Sequence, residues 1–230
     1  MRIAVFGANG QTGRHLTDQA LALGHEVVAV TRRAGSLAER PGLTVAVADA
    51  TDPAAVDAAI GGTDTVLSTL GARLSRGTIT TYSHSATIIT AAMARHGIKR
   101  LLAVSSSVTD PNWRPTGAHF FNHVLDPQVN RRIARNAHED MRRMEAVLRQ
   151  TDLDWTVVRP SGLFEHPVVT DHHTAENSAD GLFTARPDLA ASMLREAADR
   201  RYVRTAMGVI TTAVKPNIAK LIWNEAVRKK

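Results

Sequence analysis

The chain has 230 residues and no cysteine, with 28 lysines and arginines against 22 aspartates and glutamates, a formal net charge of +6. That length supports one α/β domain with a sizeable core, and a chain without cysteine has no disulfides, thiolate catalysis or sulfur-liganded zinc. No apolar run approaches the roughly 18 residues a membrane helix needs and the start does not read as a signal peptide, so a cytoplasmic protein that does not enter the membrane is expected; its charge suits an anionic ligand, whereas 4% aromatics without an interleaved basic run argue against nucleic acid.

In chain order, "RIAVF" (2–6) reads as a strand, and Leu16, Ala20, Leu21 and Leu23 form a helical stripe over 12–23. "EVVAV" (26–30) and "LTVAVA" (43–48) read as strands, and "PAAVDAAI" (53–60) as a short helix started by Asp52 or Pro53. A fourth strand, "DTVLSTL" (64–70), precedes a long helix over 78–96, and "RLLAVSS" (100–106) is a fifth strand. Near-continuous apolar strands separated by helices predict a parallel sheet covered on both faces, the doubly wound Rossmann arrangement, which binds ligands at the carboxyl ends of its strands. Beyond it, 107–128 reads as a long loop, 129–150 as a charged helix, "DWTVV" (154–158) as a strand and 160–186 as mostly loop. Helix 187–200, strand "MGVIT" (207–211) and a closing helix over 216–228 complete the pattern. With no repeat and no linker, residues 1–230 read as one domain, with substrate loops at about 107–128 and 160–186.

The opening strand runs into Gly7-Ala8-Asn9-Gly10-Gln11-Thr12-Gly13. In a strand–GxxGxxG–helix unit the first glycine turns the chain out of the strand. The second lets the backbone approach a pyrophosphate, and the third lets helix and sheet pack closely. The helix N-terminus then directs N–H groups at the phosphates. NAD-binding units usually place an acid at the end of the second strand, about 20 residues on. Here that place holds Thr31-Arg32-Arg33, two guanidiniums that match a 2′-phosphate. NADP is therefore the expected cofactor, with NADPH preferred over NADH.

"IAVFGANGQTG", "VTRR", "VADATD", "VLSTLGAR", "LLAVSSS", "MEAVLRQTDLDWTVVRPSGL" and "RPDLAASML" together resemble the atypical short-chain dehydrogenases/reductases. The likeness is to the NAD(P)H-binding family that includes biliverdin reductase B (flavin reductase) and the NmrA-like proteins. It covers about residues 1–212. It implies that Asn9, Gln11 and Thr12 face the phosphates, and that Asp49 and Ala50 flank the adenine. Leu70, Gly71 and Ala72 would line the adenosine and nicotinamide ribose, and Ser106 would sit beside the nicotinamide as the one catalytic candidate. Pro160, Ser161, Gly162 and Leu163 would close over the carboxamide.

Most short-chain dehydrogenases carry a Tyr-x-x-x-Lys pair in which tyrosine donates a proton and lysine lowers its pKa. Aligned on Glu145, those positions are Ala137 and Met141. Neither of the two tyrosines, Tyr82 and Tyr202, has a lysine four residues on. The resemblance thus implies a reductase passing hydride to a flavin, quinone or similar planar acceptor, which needs positioning more than proton transfer. An NmrA-like NADP(H)-binding redox sensor without turnover is the alternative.

Other groups carry weaker signals. His138 stands next to the lost tyrosine position but about 100° around the helix. Asp171-His172-His173 has no third ligand at metal-binding spacing, so no metal is expected. Ser105-Ser106-Ser107 lacks a nucleophile elbow. The run "RRIARNAHEDMRRME" alternates in sign and reads as a solvated face with internal ion pairs. His119, Phe120, Phe121 and His123 are lid candidates. The closing helix is a candidate interface for a homo-oligomer.

Overall fold

The computed structural model describes residues 1–72, 77–116 and 134–216. Strands β1 (Arg2–Phe6), β2 (Glu26–Thr31), β3 (Leu43–Val47), β4 (Thr65–Ser68), β5 (Arg100–Val104), β6 (Asp154–Pro160), β8 (His172–Glu176) and β10 (Thr205–Thr211) form one sheet in the order β3-β2-β1-β4-β5-β6-β10-β8. The order reverses about β1: β2 and β3 extend to one side, β4, β5 and β6 to the other. Ala4 of β1 pairs with Val28 of β2 and Val66 of β4, so both central crossings are parallel and in register.

Helices α1 (Gln11–Ala22) and α5 (Arg186–Asp199) cover one face of the sheet; α2 (Pro53–Ile60), α3 (Thr81–His96) and α4 (Arg135–Arg149) cover the other. Strand residues alternate between the two cores because side chains alternate across a strand. Ile3 and Val5 meet Leu16, Leu189 and Met193; Ala4 and Phe6 meet Ile60, Ile89 and Met93. At the start of α2, Asp52 and Pro53 act together. The Asp52 carboxylate accepts from the N–H groups of Ala54 and Ala55 at 2.9 and 3.2 Å, and Pro53 takes the first turn, where its missing N–H costs nothing.

Three sequence expectations change. The sheet is not wholly parallel, because β8 runs antiparallel to β10 at the outer edge. Its sequence, HHTAE, is mostly polar and has only half-buried and exposed residues, a pattern that a search for continuous apolar runs passes over. The stretch 160–186 is more ordered than a loop. Besides β8 it holds β7 (Gly162–Phe164) and β9 (Phe183–Ala185), which pair with each other. The α4 run is not a fully solvated face: Asp140 and Glu145 are buried, because each meets the polar groups of a neighbouring element. The lid candidates at 119–123 and the expected closing helix beyond residue 216 lie outside the described residues.

Candidate functional site

The carboxyl ends of β1, β2, β4, β5 and β6 open on one edge of the sheet. Gly7 leaves β1 with φ +78°, and a Cβ there would lie 2.8 Å from the Thr69 carbonyl oxygen. Thr69, just after β4, binds back across this turn, its N–H donating to the Phe6 carbonyl at 2.9 Å. At Gly13 a Cβ would overlap the Gly7 carbonyl oxygen and lie 2.8 Å from the Ala8 Cα. These two glycines are therefore required by the protein's own backbone. Gly10 differs: it is exposed, its φ of −73° suits any residue, and an added Cβ would touch only the Gly7 carbonyl oxygen, at 3.0 Å. The fold leaves that space open.

Gly10 is also the N-cap of α1, with no side chain to satisfy the first N–H groups and no acidic residue in the first turn. Donors of Gln11, Thr12 and Gly13 so placed favour an anion. The Asn9 side chain is engaged elsewhere, accepting from the Arg14 guanidinium at 2.6 Å.

Past β2, Arg32 and Arg33 are exposed, and among the described residues neither guanidinium has a hydrogen-bond or ion-pair partner. Arg33 is anchored only through its backbone, its N–H donating to Thr31 Oγ1 at 3.3 Å. Asp49, after β3, accepts from the hydroxyl and N–H of Thr51. These bonds hold its carboxyl below the usual range against a small burial penalty, and the Arg32 charge adds to them. Ala50 behind it is buried. After β4, Gly71 has open space about its Cβ position, and half-buried Leu70 and Ala72 pack against the α2–α3–α4 core.

Ser106 lies two residues beyond β5 and caps a single 3-10 turn, its hydroxyl accepting from Val108 N–H at 3.3 Å. Its neighbours are buried and committed: Ser105 donates to Glu145 at 2.8 Å and Ser107 to the Arg159 carbonyl at 3.1 Å. Buried Pro160, the last residue of β6, and buried Ser161 lead into Gly162 and Leu163 of β7. Ser161 Oγ lies 3.2 Å from Ser107 Oγ and 3.1 Å from the Gly181 carbonyl, and Gly162 N–H donates to the Leu182 carbonyl. The sequence-predicted residues thus share one edge of the sheet.

Sequence reasoning missed the framework beneath Ser106. Arg159 of β6 and Glu145 of α4 form a buried pair, Nη2 to Oε2 at 2.7 Å. Glu145 also accepts from Ser105, Thr109 and Arg149. Burial works against its carboxylate, but Arg159 and the two hydroxyls outweigh that and hold its pKa below the ordinary value of 4.5. Arg159 reaches on to Asp110 at 3.6 Å, which accepts from Ser178 at 2.8 Å. Trp113 Nε1 donates to the Ala179 carbonyl, and Thr116 N–H to Asp180 at 2.7 Å. The described parts of both expected substrate loops are therefore joined. A lone arginine ahead of proline in an otherwise apolar strand was the available signal, because a buried guanidinium demands a carboxylate.

A second missed group is Asp140. The α3 N-cap residue, Thr80, makes no side-chain cap. Asp140 of α4 caps α3 instead, accepting from the N–H groups of Tyr82 and Ser83 at 2.8 and 3.4 Å. Tyr82 is buried, and its hydroxyl accepts from Ala72 N–H at 3.1 Å; burial pushes the phenol pKa up. Ala137 and Met141 pack into the same core as Tyr82, Leu70 and Ala72, and His138 is half-buried beside them. His172 and His173 face opposite sides of β8, and no group of three His, Cys, Asp or Glu among the described residues is placed to hold a metal. No helix among the described residues is long and apolar enough to cross a membrane.

Comparison with known proteins agrees with the fold. A family model described as NAD(P)H-binding matches residues 7–200. Anaerobilin reductase ChuY of Escherichia coli O157:H7 superposes with a TM-score of 0.75 at 23% identity, over 94% of this chain and 100% of the other. A short-chain dehydrogenase/reductase of Veillonella parvula, in complex with NADP, gives 0.75 at 21% identity over 94% and 98%. The oxidoreductase ylbE of Lactococcus lactis gives 0.73 at 16% identity over 97% of each chain. At these identities the likeness concerns the fold.

Proposed function

We propose that this chain, which belongs to the NAD(P)H-binding family, is an NADPH-dependent reductase that passes hydride to a flavin, a quinone or a similar planar acceptor without a tyrosine–lysine pair. The observation that carries the reading is the charge pattern at the sheet edge. An α1 N-terminus without a side-chain cap or acidic residue faces the open space at Gly10, and Arg32 and Arg33 beyond β2 have no ion-pair partner among the described residues. This is an environment for a multiply charged anion. A dinucleotide with a 2′-phosphate fits it, with the N–H groups of Gln11, Thr12 and Gly13 on the pyrophosphate and Arg32, supported by Arg33, on the 2′-phosphate. Asp49 and Ala50 would flank the adenine; Leu70, Gly71 and Ala72 the ribose; Pro160 through Leu163 the nicotinamide.

When bound, NADPH supplies a hydride from the nicotinamide ring. The chain's contribution is placement. Ser106 offers a hydroxyl to orient the carboxamide or the acceptor, and the Glu145–Arg159 pair holds the turn on which Ser106 stands. Ala137 and Met141 offer no proton, which suits an acceptor that takes its proton from solvent and excludes the usual carbonyl-reductase route. The joined loops about Asp110 and Ser178 form the wall against which a planar ring would lie. The reductase neighbours support a small-molecule acceptor.

The test is loss of NADPH absorbance on adding FMN or a simple quinone to the purified protein. Turnover with either supports the reading. Tight NADPH binding with no oxidation of any acceptor overturns it, and would make Ala137 and Met141 the mark of an NmrA-like redox sensor.

A further inference from the structure

Arg14 is the fourth residue of α1 and is exposed. Its guanidinium reaches back to the glycine turn: Nη2 donates to Asn9 Oδ1 at 2.6 Å and Nε to the Asn9 carbonyl at 3.3 Å. The exposed arginines Arg40, Arg95, Arg135 and Arg200 each sit against a carboxylate. Arg14 has no carboxylate partner among the described residues, and the first turn of its helix has none to give.

That position is electrostatically wrong for a folded protein considered alone. The helix dipole places positive charge at its N-terminus and so disfavours a cation near the first turn. Arg14 adds its charge there, beside N–H groups that already lack acceptors. An exposed link to a neutral amide offsets little of this. An anion on the glycine turn reverses the sign of the whole arrangement, and Asn9, its present partner, belongs to that turn. The side chain therefore has only to turn from the Asn9 amide to a phosphate oxygen.

We infer that Arg14 is a phosphate-binding residue of the dinucleotide site, held on Asn9 until the ligand arrives. The inference rests on the NADPH reading above and adds a cation to it. The ligand chemistry is a phosphate oxygen, which a dinucleotide offers in two places: the pyrophosphate, shared by NAD and NADP, and the 2′-phosphate of NADP alone.

The experiment is calorimetric titration of the native protein and of Arg14→Ala, Arg14→Lys, Arg14→Gln and Arg32→Ala with NADP+ and with NAD+. Loss of one charge-assisted contact weakens binding about tenfold. Arg14→Ala is expected to weaken NADP+ by at least that factor, and Arg14→Lys by less, because charge is kept. Equal weakening of NAD+ assigns Arg14 to the pyrophosphate; an unchanged NAD+ affinity assigns it to the 2′-phosphate beside Arg32. Arg14→Gln keeps a hydrogen-bond donor for Asn9 but no charge, and is expected to lose as much NADP+ affinity as Arg14→Ala. The inference is overturned if Arg14→Ala binds NADP+ like the native protein. It is equally overturned if Arg14→Gln binds like the native protein while Arg14→Ala does not, since Arg14 would then be a brace for the loop. Failure of the native protein to bind either dinucleotide rejects the cofactor reading itself, and this inference with it.

Discussion

Gly10 and Gly13 stand three residues apart in one motif, yet the structure assigns them opposite consequences when a side chain is added. At Gly13 the new Cβ overlaps the Gly7 carbonyl oxygen and crowds the Ala8 Cα, both backbone atoms that cannot rotate away. Overpacking of that kind costs about 1–3 kcal/mol or more. For a domain of this size each kcal/mol moves Tm by about 2–4 °C, so Gly13→Ala should melt about 2–12 °C below native without ligand. At Gly10 the sole clash is a 3.0 Å approach to the Gly7 carbonyl oxygen, relieved by a shift of a few tenths of an ångström. Gly10→Val should therefore melt within about 4 °C of native, under the same scaling. The order reverses once ligand is added. NADPH at about 100 times its Kd stabilises a binding-competent protein by about 2.7 kcal/mol, a rise of about 5–11 °C. Native protein should show that rise and Gly10→Val none, its branched side chain filling the space left for the pyrophosphate. The assay is thermal unfolding of all three proteins with and without NADPH. A Gly10→Val variant that keeps the ligand-induced rise would refute the placement of the phosphate site, and a Gly13→Ala variant that melts like native would refute the packing argument.

Arg32→Ala should weaken NADPH binding by about tenfold or more, the scale of one charge-assisted bond, and leave NADH nearly unchanged; equal native affinities for the two cofactors would sink the 2′-phosphate assignment. Ser106→Ala should lower the rate of NADPH oxidation about ten- to a hundredfold, as expected when positioning alone is damaged, with His138→Ala doing much less. A pH profile between 6 and 9 controlled by one group near 6.5, and abolished in His138→Ala, would instead make that histidine the acid. Glu145→Gln should cost about 3–5 kcal/mol at neutral pH by removing the close buried carboxylate of Arg159 and leaving it only the longer pair to Asp110. Because the folded Glu145 pKa lies below its ordinary 4.5, the carboxylate's contribution is complete at neutral pH and is lost as pH falls from about 4.5 through the folded value. Tm of the native protein should therefore drop more steeply in that acid range than Tm of Glu145→Gln, and parallel curves would count against the pairing.

The parts of the fold carried by periodicity were readable in advance. Val27 through Val30 and Val66 through Leu67 are apolar on both sides because helices cover both faces, so the strands and their parallel order followed. Glycines 7, 10 and 13 declared the turn. What periodicity cannot carry is pairing between distant elements. Asp140 and Glu145 look like members of a charged surface run, and only the arrival of α3 and β6 against α4 explains their burial. Gly208 looks like an ordinary strand residue in "MGVIT". Yet a Cβ there would overlap the Ala179 backbone nitrogen and lie 2.5 Å from the Ser178 carbonyl carbon, so the chain at 178–179 crosses β10 against it. Edge strand β8 escaped because a polar sequence at a sheet margin resembles loop composition.

The partnership of α1 with α5 bears on how the protein is made. The glycine turn and its helix are complete by residue 22, but the buried side of α1, Leu16 and Ala20, shares its core with Leu189, Met193 and Leu194, and the Gln19 side chain donates to the Pro187 carbonyl at 3.0 Å. During synthesis the first helix meets its strands early, but the α5 side of its core begins only at residue 186. A ribosome-bound chain that stops short of α5 carries every glycine of the turn and lacks the helix that completes the core around α1. The nascent protein should remain a client of chaperones until α5 has emerged, and become able to hold a dinucleotide only after that.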